Sequence, residues 1–110
     1  MYTLSAKLTF RIYHARTLKD KRQVRRSIID KTKHKFKVAI AEVDTQDIYQ
    51  TLTIGIAVVS GDFSHGEEMR DEIVRYMEGN GVAELVEVKK YYSDESATEE
   101  IVKSKMDFVL

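Results

Sequence analysis

Five cations in the first third of the chain share one helical line. Between Leu18 and Phe36, the apolar residues Leu18, Val24, Ile28, Ile29 and Phe36, with Thr32 among them, recur at helical spacing. At about 100° per residue, Lys19, Arg22, Arg26, Lys33 and Lys37 fall within an arc of roughly 60° opposite that stripe. Spaced ammonium groups and planar guanidinium forks suit a phosphate backbone. The plainer reading is a solvated charged face. Yet Asp30 is the one acid between Lys21 and Lys37, and like charges without nearby partners cost stability. The line therefore points to an anionic partner. Arg16 lies just before this helix, Arg25 and Lys35 flank its apolar stripe, and His34 can add charge below neutrality.

A second cluster is acidic. Glu42 and Asp44 stand two apart near a strand end and are expected to project the same way, with Asp47 close by in the following connection. Three carboxylates can hold a hard divalent ion or do acid–base work, so a metal-dependent hydrolase is one reading. The structural reading is favoured. Lys21 falls on the sheet-facing side of the helix and can pair with one of these acids, while Asp44 or Asp47 caps the turn. His14, His34 and His65 lie in separate segments without metal-ligand spacing. The chain has no cysteine, which excludes disulfides, thiolate metal sites and cysteine nucleophiles. No metal, cofactor or catalytic residue is expected.

The elements that carry these residues follow from hydrophobic periodicity. Leu4, Ala6, Leu8, Phe10 and Ile12 alternate with polar residues, which predicts a half-buried strand. Thr17, with Asp20 three residues on, marks the start of the first helix. Strands are predicted over 37–43 and 51–60. A second helix, capped by Ser64 and carrying Glu67 and Glu68 in its first turn, buries Met69, Ile73, Val74, Tyr76 and Met77 and stops at Gly79-Asn80-Gly81. A fourth strand is predicted over 82–92. This β-α-β-β-α-β order predicts an α+β, ferredoxin-like domain over residues 1–92, with two helices on one face of a four-stranded antiparallel sheet. Ile101, Val102, Met106 and Val109 suggest an added C-terminal helix within a 93–110 extension. Its expected place is the open sheet face or a partner chain.

Charge is divided along the chain. Residues 1–37 hold 12 of the 18 Lys/Arg against Asp20 and Asp30, a net +10, and the remaining residues balance this to zero. Such a chain is expected to meet a polyanion in one orientation. No apolar run approaches the roughly 18 residues of a membrane span, and the alternating start MYTLSAKLTFRIY is unlike a signal peptide. The cytoplasm is the expected compartment and no membrane partner is expected. The open sheet face, with Thr51, Thr53, Gly55, Ala57 and Val59 from the third strand, lacks the aromatic signature of base-stacking RNA modules. Only Tyr13 and Tyr2 are expected to offer rings there. Small residues suit packing against another surface instead.

The runs TLKDKRQVRRSIID (17–30), AEVDTQDIYQ (41–50) and GIAVVSGD (55–62) resemble the YlxP family of small bacterial proteins, long described as a domain of unknown function. The likeness covers residues 1 to about 92. Arg25 departs from it by standing where relatives often carry an apolar residue, and the stretch from Ser93 is an extension that shorter relatives largely lack. The resemblance implies the same ferredoxin-like fold, a bacterial cytoplasmic protein, and a role in assembly of the small ribosomal subunit. It implies no catalytic residue. The expectation is thus a non-enzymatic, ribosome-associated factor binding ribosomal RNA of the small subunit through Lys19, Arg22, Arg26, Lys33 and Lys37. The alternative is a self-associating module, a homodimer formed through the open sheet face and the C-terminal helix.

Overall fold

A computed structural model of the protein describes residues 1–94. In chain order it contains β1 (Tyr2–Arg11), α1 (Leu18–Lys35), β2 (Ala39–Asp44), β3 (Thr51–Ser60), α2 (Phe63–Glu78) and β4 (Glu84–Asp94). The strands form one antiparallel sheet in the order β2-β3-β1-β4. With both helices on one face, this is the ferredoxin-like α+β fold. The extension's expected helix, over Ile101 to Val109, lies outside the described residues.

The sheet register follows from burial. Leu4, Ala6, Leu8 and Phe10 of β1 face Val58, Ile56, Ile54 and Leu52 of β3, and all eight are buried beneath the helices. Fully burying each large side chain contributes roughly 1.5–3 kcal/mol. A slip of either strand by one residue would turn its four to the open face, so the register is strongly set. From above, α1 adds Val24 and Ile28, and α2 adds Ile73, Val74 and Met77.

Side chains punctuate the elements. Thr17 Oγ1 accepts the Asp20 N–H at 3.1 Å, and the Asp20 carboxylate accepts the Arg16 N–H at 2.9 Å. Together they satisfy N–H groups at the start of α1. The second helix begins one residue before Ser64. Its cap is Asp62, which accepts from the His65 N–H at 2.8 Å and is held in turn by the Ser60 hydroxyl. This start lets the Phe63 ring pack edge-on between Tyr2 and Tyr92. Ser64 is therefore inside the helix, and Glu67 and Glu68 lie beyond its first turn. At the other end, the Asn80 side chain takes the N–H groups of Val82 and Ala83 and the Ala83 carbonyl. Pairing of β4 consequently starts at Glu84, and it continues to Ser93 and Asp94 opposite Thr3 and Tyr2.

Two buried features of α2 set its approach to the sheet. Arg70, nearly inaccessible, reaches the Tyr91 carbonyl of β4 at 3.3 Å and the Asp71 carboxylate at 3.2 Å. Gly66 faces β1, and a Cβ there would meet Leu4 Cδ2 at 2.5 Å and Ser60 Cβ at 2.9 Å. The Ser60 Cβ belongs to a fixed strand position and cannot move aside cheaply. Gly66→Ala is therefore expected to lower unfolding free energy by about 1–3 kcal/mol, despite alanine's better helix propensity. Urea denaturation measures this, and an unchanged midpoint would refute the close approach.

Two carboxyls titrate below the ordinary aspartate value of 3.8. The Asp20 group is held down by the N–H of Arg16. For Asp71, burial pushes upward, but hydrogen bonds from Lys90 and Arg70 outweigh it. Each is depressed in the folded state, so its contribution is complete above the unfolded value and lost as pH falls through the folded one. Thermal melts from about pH 6 to about pH 3 are expected to show a falling midpoint, with a smaller fall in Asp20→Asn.

Candidate nucleic-acid interface

The outer surface of α1 carries the basic line, and an ionic cluster beneath it sets the helix's position. Lys21 is 2% exposed. Its ammonium donates to the Thr45 carbonyl and to the Ile48 carbonyl at 2.8 Å, and contacts Glu42 Oε2 at 2.9 Å. The other Glu42 oxygen accepts from Arg25 Nη1 at 3.0 Å. The Oε2 atom has no aligned hydrogen bond, so its contact with Lys21 is a charge contact at close range. One glutamate thus joins two turns of α1 to β2, and Lys21 also grips the connection from β2 to β3.

That connection turns sharply at Thr45, whose φ of 60° is left-handed. A β-branched residue adopts this conformation only when its surroundings enforce it. Here the Thr45 hydroxyl contacts the Asp44 carbonyl at 2.6 Å and the Thr53 hydroxyl at 3.1 Å, while Lys21 takes the Thr45 carbonyl. The turn is held by Thr45 and Lys21 rather than by a cap from Asp44 or Asp47.

A β-bulge divides the acidic cluster. The register shifts between Glu42, opposite Ile54, and Asp44, opposite Thr53. The extra residue turns the strand over, so Glu42 faces the helices and Asp44 faces the open side. The expectation that these two project alike fails for this reason. Asp44 instead accepts from Lys7 at 3.0 Å, a hydrogen bond that raises the Lys7 pKa above 10.5. Asp47 is exposed and joins neither pair. Among the described residues, no three His, Cys, Asp or Glu side chains are grouped closely enough to hold a metal ion.

The basic residues divide according to the side of α1 they occupy. Lys21 and Arg25 are engaged with Glu42, and Lys35 lies over the Tyr76 ring at 5.2 Å. Lys19, Arg22, Arg26 and Lys33 are exposed on the outer face, spread over about 21 Å of helix axis. Lys37 is also exposed but leaves the helical line. The helix ends at Lys35, and Phe36 turns extended with its ring edge-on to Tyr76. None of these five cations makes an ion pair or hydrogen bond within the described residues.

On the opposite side of the molecule, the open sheet face holds a ring from the fourth strand, beyond the Tyr13 and Tyr2 expected there. Tyr91 of β4 stands beside Ser5 and is 49% exposed. Tyr2 points the other way, against Phe63. Alternation through Glu87, Lys89 and Tyr91 is the sequence signal for this placement. A bulge opposite Thr9 and Phe10 shifts the register before that run begins. No helix among the described residues is long and apolar enough to cross a membrane.

A two-layer α+β domain with a cationic outer helix and a neutral sheet back is the class of protein defined here. The chain belongs to the family described as "Protein of unknown function (DUF503)", whose model matches residues 3–90. It is 34% identical over 67 residues to the uncharacterized protein YlxP of Bacillus subtilis (strain 168), an alignment covering 61% of this chain and 73% of that protein.

Truncating one partner of a buried ion pair leaves the other uncompensated, typically at a cost of about 3–5 kcal/mol. Lys21→Met keeps most of the side-chain volume but leaves Glu42 with Arg25 alone and two carbonyls without their donor. Chemical denaturation is expected to show a loss at or below the low end of that range, and Arg22→Met, on the exposed side of the same helix, a loss under about 0.5 kcal/mol. Equal losses would remove the distinction between the two sides of α1.

Proposed function

We propose that this protein is a non-enzymatic, cytoplasmic accessory factor that binds ribosomal RNA of the small subunit through the outer face of α1. The observation that carries this reading is the set of exposed cations, Lys19, Arg22, Arg26, Lys33 and Lys37, left without acidic partners among the described residues. Unpaired like charges on one helix repel one another, and an incoming phosphate backbone relieves that repulsion while releasing counterions. The flanking cations Lys21 and Arg25 already have a carboxylate, so the arrangement separates a binding side from an anchoring side. Such contacts position a backbone without reading bases. The choice of ribosomal RNA rests on the resemblance to the YlxP family and the choice of a polyanion on the charge geometry.

Co-sedimentation with purified small ribosomal subunits across a salt series tests the proposal. If four or five phosphates are engaged, the log–log slope is about −3 to −4, taking roughly −0.7 per phosphate on single strands. Affinity then falls on the order of 100-fold between about 50 and 200 mM salt. The triple variant Arg22→Glu, Arg26→Glu, Lys33→Glu is expected to abolish binding and leave circular dichroism unchanged, because these side chains touch nothing in the core. A salt-independent association, or binding retained by the triple variant, would remove α1 as the interface.

A further inference from the structure

We infer that two copies of this chain associate through their open sheet faces, with the Tyr91 ring of each copy seated in a hollow of the other. The cross-strand register carries the argument. Ala39, Ala57, Ser5 and Tyr91 stand side by side in one row across β2, β3, β1 and β4. The row is small at three strands and large at the fourth. A shallow depression of about 580 Å³ runs along this row from Ala39 to Tyr91, which forms its far wall, and is also lined by Ala41, Val43, Gly55 and the Lys7–Asp44 pair. Its floor depends on Gly55, where a Cβ would already meet Val43 Cγ1 at 3.0 Å. At the far edge, Tyr91 is half exposed.

A hollow with its small-residue end over β2 and the Tyr91 ring of β4 as its far wall is self-complementary. A two-fold axis parallel to the strands lays β4 of one copy over β2 of the other, and both rings then enter both hollows at once. Closed two-fold pairing uses one patch twice in this way. A partner of different shape would have no need for hollow and ring on the same face.

Charge and size agree with a second copy. The ionised groups near the row are already paired as Lys7–Asp44 at 3.0 Å and Lys89–Glu87 at 3.9 Å. The face thus brings neutral pairs together and offers a polyanion little. The outer face of α1, in contrast, would repel its own copy. At about 3.3 Å per residue and about 4.8 Å between strands, strands of 10, 6, 10 and 11 residues cover on the order of 600 Å². Two such faces bury about 1,200 Å², at the lower end of stable interfaces. In this arrangement both α1 helices point outward, on opposite sides of the dimer.

Sedimentation velocity of the full chain, from about 1 to about 100 μM, tests this inference. The expected result is a concentration-dependent rise from 12.7 kDa towards twice that mass. Ala57→Arg fills the hollow and is expected to hold the chain at the monomer mass, with circular dichroism unchanged because the position lies outside the core. Tyr91→Ala removes the ring and is expected to shift dimerisation at least tenfold upward in concentration. It serves alone if Ala57→Arg fails to fold. A wild-type monomer throughout the range overturns the inference and leaves the face to another occupant. So does a dimer that survives both substitutions, which would place the interface elsewhere. Neither outcome depends on RNA, so the test is separate from that of the α1 surface.

Discussion

The contact between the Lys21 ammonium and the Glu42 carboxylate is the constraint on which the basic surface depends. An unpaired charge in this position would be costly to bury. Paired, and bonded to two loop carbonyls, it becomes a fixed link between α1, β2 and the β2–β3 connection. The apolar anchorage of the helix is a short stripe, Val24 and Ile28 buried with Ile29 and Phe36 packed at the edge of the core. The ionic link adds a directional constraint on its rotation, because moving Lys21 away from Glu42 leaves a buried ammonium without its carboxylate and Glu42 with Arg25 alone.

Rotation of α1 decides which cations face outward. Lys21 and Arg25 are one turn apart and share a single carboxylate. Lys19, Arg22, Arg26 and Lys33 consequently face solvent. A helix with this many cations would ordinarily spread its repulsion among neighbouring acids. Most acids of this chain lie elsewhere in the fold. Of those on or near α1, Asp20 caps its start, Glu42 is consumed beneath it, and Asp30 is a single exposed carboxylate among the cations. The charge division along the chain is thereby converted into a division between surfaces: cationic on the outer face of α1, neutral and small-residued below the sheet.

Much of this architecture is legible in the residues. The alternation of β1 and the helical spacing of α1 and α2 report directly which side of each element avoids water, and side-chain period is a local property of backbone geometry. The Thr17–Asp20 start of α1 and the glycine-rich end of α2 are local for the same reason. Ser64 misled because a serine and an aspartate two residues apart are both good caps, and what selected Asp62 was packing of Phe63 between two distant tyrosines. Lys37 misled because periodicity continues on paper after the helix has stopped. Phe36 abandons helical geometry to place its ring against Tyr76, a residue forty positions away.

By itself, the sequence determined the element order, the buried face of each strand and helix, and the presence of a cationic line. All of these are set by the alternation of apolar and polar residues within a few turns of chain. Tertiary structure alone decided which charges stay free. One extra residue in β2 sends Glu42 to the helices and Asp44 to Lys7, and a bulge is a product of pairing with β3, invisible in either strand alone. The placement of Tyr91 opposite a row of small residues is likewise a fact of register across four strands. Charge pairing and surface shape depend on distances between residues remote in sequence, and only folding sets those distances.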